Sequence, residues 1–424
     1  MTDADTLPLP PPDLDWFTAA RFGLFVHWDH ASQQGIEIGW PMVGGVFAIR
    51  AGEVSVEQYH SSAATFDPTS WDAPALARLA KQCGVRYAVL TTKHHSGYAL
   101  WHTKLSDWSI EHSPFGRDVV REFADAMRAE GIKVGFYFSL PDWHHPDYPA
   151  FTEEMKPYSF PEGPPYPGDE TWERYRTFMF GQLEELLTDY GKVDLIWFDG
   201  GWERRASQWR SADIEALCRR LQPGIVINDR LPRAGDYETP EQFVPPAPPD
   251  GPWETCMTMN ESWSWNPDDT DLKSPRSLVH TLVEVAGRGG NLLLNISPKG
   301  DGSIPPEQVE RLRHVGTWLA RNGASIYDTT PGLEPWQHYG PSTRKGDTVY
   351  VHLLARPYDS VTVRGVPVKR VASVTELSSG RALTWSKRTS IIDRLNGDPL
   401  GELTVQVPAD VVDDDATVLA VQLS

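Results

Sequence analysis

Residues 183–202 read LEELLTDYGKVDLIWFDGGW, and this stretch decides the fold. Leu183, Leu186, Leu187 and Tyr190 recur at helical spacing, so one helix face is apolar. Gly191 stops that helix. The run VDLIWFD follows at once, apolar at consecutive positions, and ends in Asp199. An alternating strand has one wet face, whereas a continuous apolar run marks a strand covered on both. A helix that ends at a glycine and leads straight into such a strand is one unit of a parallel α/β architecture.

The same unit recurs along the chain. In 70–84, Ser70 can cap a helix, Leu76, Leu79 and Cys83 share a face, and Gly84 precedes VRYAVLTT. In 118–131, Val120, Phe123 and Met127 share a face before IKVGFYFSL. Ile214, Leu217, Cys218 and Leu221 lead through Gly224 to IVIND, and Leu278, Leu282 and Val285 lead to NLLLNIS. A sixth helix ends at Gly323 before ASIYD. With the opening strand FGLFVHW, these units predict a (β/α)8-like barrel of the TIM type, with irregularities. A doubly wound open sheet would need a glycine-rich phosphate loop after an early strand, and the sequence has none. The Pro-rich run ETPEQFVPPAPPDGPW lies between strands and reads as a long barrel loop. Past residue 335 the segments TVYVHLLA, SVTVRGV, SVTEL, LTVQV and TVLAVQL alternate and are separated by turn residues, the pattern of an antiparallel β-sandwich. The expected division is a catalytic barrel over 1–335 and a sandwich over 336–424.

Bulk composition narrows the partners. The 424 residues are 40% hydrophobic and carry a formal net charge of -19. Such a surface repels phosphate backbones and anionic lipid, which argues against nucleic acid and membrane as partners. Seventeen tryptophans supply core, and also flat surfaces that stack on the C–H faces of sugars. The three cysteines, Cys83, Cys218 and Cys256, are too few and too odd for a disulfide framework. The opening MTDADTLPLPPPDLDW lacks the basic and apolar regions of a signal peptide, so the expectation is a cytoplasmic protein.

In a barrel, chemistry collects at the C-terminal ends of the strands. Read strand by strand, those ends give His27 and Trp28; Lys93, His94 and His95; Tyr137 with Asp142, Trp143, His144 and His145; Asp199; and Asn228, Asp229 and Arg230. Glu241, Glu254, Trp263 and Trp265 follow soon after. A carboxylate ending a buried strand, as Asp199 does, is desolvated unless it faces a cleft. Paired with a second carboxylate it has the equipment of a glycosidase, one group attacking and the other protonating the departing oxygen. Glu241 lies in the long loop; Glu254, in PWETCMTMN, reads as the start of a strand. Adjacent residues on a strand point to opposite faces, so neither His94–His95 nor His144–His145 is expected to chelate as a pair. No metal and no cofactor are expected.

Several motifs in order resemble the retaining α-L-fucosidases of glycoside hydrolase family 29: RFGLFVHW, YAVLTTKHHSGYALW, VGFYFSLPDWHHPDYP, LIWFDGGW, INDR, TPEQ, WETCMTMNESW and GGNLLLNISPKGDG. They span about residues 15 to 335. The resemblance implies a barrel followed by a β-sandwich, and hydrolysis of terminal α-L-fucosides through a covalent fucosyl-enzyme. It implies Asp199 as nucleophile and a substrate-binding set of His27, Trp40, His94, His95, Tyr137, Trp197, Arg230 and Trp263. Trp263 would pack by the sugar methyl. For the acid/base, TPEQ points to Glu241, with Glu254 as the runner-up. The partners implied are fucosylated glycans or glycosides, with homo-oligomerisation left open. An exo-glycosidase for a related sugar such as an α-L-galactoside, and a non-catalytic fucose-binding protein, are the alternatives.

Overall fold

Seven parallel strands form one curled sheet in the computed structural model, which describes residues 8–43, 54–149, 155 and 164–424. They are β1 (Phe22–Val26), β2 (Tyr87–Lys93), β3 (Lys133–Ser139), β4 (Leu195–Asp199), β5 (Val226–Ile227), β6 (Glu254–Met257) and β7 (Asn291–Ile296), in the order β5-β4-β3-β2-β1-β7-β6. The helices at Ala73–Gln82, Val119–Ala129, Asp169–Thr188 and Ser211–Leu221 separate the first five strands. Pro275–Gly287 precedes β7 and Pro306–Asn322 follows it. Residues 237–241 lie between the sheet's two edges, with parallel bridges from Asn228 to Tyr237, Glu238 to Trp253 and Glu241 to Cys256. The Pro-rich loop is thus part wall at its start.

Local signals explain most of these elements. Asp118 accepts from Arg121 N and Ser274 from Ser277 N, each capping the helix that follows. Gly191 adopts φ +73, the left-handed conformation that ends a helix cheaply only without a side chain. Two expectations fail. The first helix is capped by Asp72, whose carboxylate accepts from Ala75 N, and Ser70 plays no such part. ASIYD is not a strand: Gly323–Ser325 is a 3₁₀ turn. The seventh parallel strand is instead β6, which begins at Glu254 as the reading of PWETCMTMN expects. The first seven residues of the N-terminal stretch lie outside the described residues.

The sheet separates two apolar layers. Outside it, Leu24, Leu90, Phe136, Ile196 and Phe198 pack on helix residues such as Leu76, Phe123 and Leu186. Inside it, Phe25, Tyr87, Val89, Tyr137, Leu195, Trp197, Cys256 and Leu293 form a second cluster. Every residue of β4 is buried, as its unbroken apolar run requires. Period-two alternation sends Leu195 and Trp197 inward and carries Asp199 to the inner mouth. Packing inside is tight: a Cβ on Gly23 would stand 2.4 Å from the Tyr87 ring.

The C-terminal strands form two antiparallel sheets. One runs Val371–Glu376, Thr417–Leu423, Thr348–Leu353, Ser342–Lys345, Thr330–Pro331; the other runs Ser360–Pro367, Leu400–Gln406, Trp385–Arg388. Val351, Val363, Leu403, Val405, Leu419 and Val421 from both sheets share one core. Trp318 Nε1 donates to the Ala416 carbonyl (2.9 Å) and Arg321 pairs with Asp413 (2.9 Å), tying these sheets to the last helix. All three cysteines are free and buried. Among the described residues, no helix is long and apolar enough to cross a membrane.

Gly23→Ala should therefore lower stability by about 1–3 kcal/mol, the range for overpacking a filled core, read as a lower urea midpoint. An unchanged midpoint would show that the interior yields.

Candidate active site

A cavity of about 1180 Å³ opens at the C-terminal ends of the strands. Asp199 stands in its wall and is 7% exposed. The Tyr137 hydroxyl donates to Asp199 Oδ2 at 2.8 Å, and Arg230 Nη1 donates to Oδ1 at 3.0 Å. The register that pairs Tyr137 with Trp197 and Ser139 with Asp199 brings the β3 residues alongside. Buried Asn228 clamps β4 by accepting from Phe198 N and donating to Phe198 O, each at 2.8 Å.

Arg230 is the hub. Its Nη2 donates to Glu241 Oε2 at 2.6 Å, its Nε donates to Thr239 Oγ1 at 3.1 Å, and its guanidinium lies 4.5 Å from the Trp197 ring centre. Burial works against the charge, but Asp199 and Glu241 outweigh it and hold Arg230 firmly protonated. Burial, together with the Asp199 charge, raises Tyr137 well above the ordinary phenol range, so it remains a donor. Two carboxylates of one cavity thus meet one cation.

The histidines are neutral. Burial pushes His27 down to about 4 and His95 down to about 3, and drives His94 well below the ordinary imidazole range. Asn295 fixes the orientation of His27. Its Nδ2 donates to the Trp263 carbonyl (2.7 Å), so its Oδ1 accepts from His27 Nδ1 (2.7 Å) and leaves Nε2 as an acceptor. The Ser139 hydroxyl donates to the Pro141 carbonyl (2.7 Å), so it accepts from His95 Nδ1 (2.6 Å). His95 Nε2 then carries a lone pair 3.5 Å from Asp199 Oδ2, which is not an ion pair. His94 stacks on Tyr137 with rings 5.4 Å apart.

His27, Trp40, His94, Tyr137, Trp197, Asp199, Arg230, Glu241 and Trp263 all line the cavity. His95 is completely buried just behind it. The expectation that His94 and His95 face apart is overturned. Strand β2 ends at Lys93, the alternation ends with it, and ligating atoms of His94, His95 and Asp199 lie within 4.8 Å of one another. Tyr137 and Arg230 each donate to one of the Asp199 oxygens in this cluster. The other strand-end residues serve structure: Lys93 pairs with Asp142 (3.5 Å), His144 stacks on Trp108 (4.1 Å), His145 packs on Phe178, and Trp28 stacks on Trp71. Trp265 lies near Lys299, while Asp229 reaches the cavity and accepts from Thr239.

Glu254 is not in the cavity wall. It is fully buried inside the sheet, where Oε1 accepts from Trp197 Nε1 at 3.0 Å and Oε2 accepts from the Tyr87 hydroxyl. Glu241 is in the wall, with a side chain 37% exposed.

Sequence reasoning missed Glu37 and Asn295. Buried Glu37 accepts from the backbone N–H of Trp263 (2.7 Å), Ser264 (2.9 Å) and Ile38 (2.9 Å), joining the loop after β1 to the loop that carries Trp263. The Trp263 ring lies 4.6 Å from His27 and 5.9 Å from Phe25, giving the cavity an apolar wall. Neither Glu37 nor Asn295 sits in a telling local pattern; the one available signal was Asn295 at the end of an apolar strand.

Known proteins are similar over nearly the whole chain. The family described as Alpha-L-fucosidase matches residues 9–324. The tissue α-L-fucosidase of Bos taurus is 32% identical, with 91% of this chain and 84% of that protein covered. The human tissue enzyme is 31% identical, covering 90% and 84%. Among solved structures, α-L-fucosidase isoenzyme 1 from Paenibacillus thiaminolyticus superposes with a TM-score of 0.85 at 35% identity, covering 97% of this chain and 99% of that one. A family 29 α-L-fucosidase from Bacteroides thetaiotaomicron, described as a trapped covalent intermediate with 2-fluoro-fucosyl fluoride, superposes at 0.82 and 28% identity, covering 99% and 98%.

Asn295→Asp should raise His27 above its value of about 4, because a carboxylate beside an imidazole favours the charged ring. An NMR titration of the His27 ring protons reads this directly; an unmoved midpoint would refute the assigned contact.

Proposed function

The chain belongs to the α-L-fucosidase family, glycoside hydrolase family 29, and from that premise we propose that Asp199 and Glu241 carry the hydrolysis. The protein is an exo-acting α-L-fucosidase that releases fucose from fucosylated glycosides with retention. The observation that carries the assignment is the single guanidinium of Arg230 bound to both carboxylates at the cavity wall.

In the first step Asp199 attacks the anomeric carbon while Glu241 gives its proton to the departing oxygen, leaving a fucosyl ester on Asp199. In the second, Glu241 takes a proton from water, which attacks the same carbon and releases Asp199. Two inversions return the original configuration. Arg230 Nη2 donates to Glu241 Oε2, and the carboxylate is the form the second step needs as base. In the first step that bond yields to a proton and to the leaving oxygen. Tyr137 and Arg230 each donate to one oxygen of Asp199 and so aim it. Neutral His27 and His94 offer acceptors to sugar hydroxyls without competing for the anionic partner. Trp40 and Trp197 supply further wall, and Trp263 with Phe25 forms an apolar face for the C6 methyl, where a hydroxymethyl would lose its hydration. His95 supports this set from behind. We read the ring of strands, closed by 237–241, as an irregular (β/α)8 barrel. We read residues 1–335 as the catalytic domain and 336–424 as the sandwich, with Thr330–Pro331 lent by the first to the edge of the second's five-stranded sheet.

Wild type should hydrolyse 4-nitrophenyl α-L-fucoside far faster than the α-L-galactoside, and NMR of the first-formed sugar should show the α-anomer. Asp199→Ala should lower kcat by at least about 10³-fold, over 4 kcal/mol of barrier. Glu241→Gln should lose more rate on poor leaving groups than on good ones, with azide restoring turnover. Turnover undiminished in Asp199→Ala would exclude it as nucleophile.

A further inference from the structure

Glu254 is a carboxylate for which the reaction as drawn has no use. It opens β6 and is fully buried inside the sheet. A buried carboxylate without a task is costly to retain. Its two oxygens accept from Trp197 Nε1 at 3.0 Å and from the Tyr87 hydroxyl, and Tyr87 fits there only because Gly23 has no side chain. The Trp197 indole in turn supports both partners of Asp199. Tyr137 stacks on it, with rings 5.5 Å apart and 16° from parallel, and the Arg230 guanidinium lies 4.5 Å from its centre.

We propose that Glu254 is a positioning residue for the hydrolysis: its bond to Trp197 Nε1 fixes the indole, and so fixes the Tyr137 hydroxyl and Arg230 guanidinium that aim the nucleophile. This rests on the reading of Asp199 and Glu241 as the catalytic pair. Burial pushes the Glu254 carboxyl up to about 7, against the bonds from Tyr87 and Trp197 that favour its charge. The titratable groups facing it are Tyr87 from β2, Tyr237 and Arg230 from the segments after β5, and Cys256 on β6. Burial raises Tyr87, Tyr237 and Cys256 well above their ordinary ranges, so they stay neutral and Arg230 is the cation among them. A carboxylate accepts more strongly than a neutral acid, so the tether tightens as pH rises through neutrality. Stability runs the other way. A carboxyl raised by folding contributes stability below its ordinary range and loses it as pH climbs towards about 7.

Glu254→Gln keeps the shape and removes the charge; Trp197→Phe keeps a ring and removes the N–H. On 4-nitrophenyl α-L-fucoside each should lower kcat on the order of tenfold, about 1.4 kcal/mol. The double variant should be no slower than the slower single variant, because both cut one interaction. Wild-type kcat/KM should show an ionisation near the Glu254 value of about 7 that Glu254→Gln lacks. The thermal midpoint of Glu254→Gln should gain on wild type between about pH 5 and pH 8. The rate loss should be equal for good and poor leaving groups. Undiminished kcat in both single variants, or additive losses in the double, overturns the proposal. A Glu254→Gln loss that grows with poorer leaving groups and is cured by azide makes Glu254 the acid/base and overturns both readings. That behaviour in Glu241→Gln alone keeps the catalytic pair intact whatever Glu254 does.

Discussion

Arg230 holds two carboxylates of one cavity with one positive charge. Two carboxylates near one another repel. A guanidinium removes that conflict and does so with geometry, since its nitrogens are fixed in a plane. Its own place is fixed in turn by Thr239 and by the Trp197 ring. Much of the remaining site keeps this charge balance from being disturbed. The histidines are buried far enough to stay neutral, so they add hydrogen-bonding capacity without adding positive charge.

The sheet supplies this arrangement through simple alternation. Each parallel strand is covered on both sides, by helices outside and by its neighbours' side chains inside. Along β4 the inward positions are Leu195, Trp197 and Asp199, so a core residue, a cavity-wall residue and a carboxylate at the cavity mouth succeed one another at two-residue steps. The cavity is the place where the inward layers stop being filled. The polar groups there are satisfied from behind: Asn228 clamps β4, Asn295 orients His27, and Ser139 orients His95. Loops on different strands are joined in the same way, with Glu37 accepting three backbone N–H groups. The cavity wall is therefore positioned by hydrogen bonds that none of its residues could make alone.

Much of this was legible from the chain alone. The helix–glycine–strand repeat specified a parallel α/β sheet because its signals are local: spacing, a left-handed stop, and unbroken apolar runs. Asp199 stood out for the same reason, as a carboxylate closing an apolar strand. The short alternating segments past residue 335 announced the antiparallel sheets.

Three matters were left to tertiary structure. ASIYD resembles a strand in composition, yet the seventh parallel place goes to β6, because sheet pairing is long-range and a strand's start does not show its partner. His94 and His95 converge on Asp199 because the strand stops one residue before them, a boundary that composition does not mark. The sequence preferred Glu241, in a loop and in TPEQ, to Glu254 at the start of a strand, but only packing shows where each lies, one in the cavity wall beside Arg230 and the other enclosed with Trp197 and Tyr87. The chain alone determined which elements form and which chemistry is on offer, since those follow from near neighbours. Which carboxylate reaches the cavity was decided by burial, because Glu254 is enclosed by Trp197, 57 positions away, and Tyr87, 167 positions away.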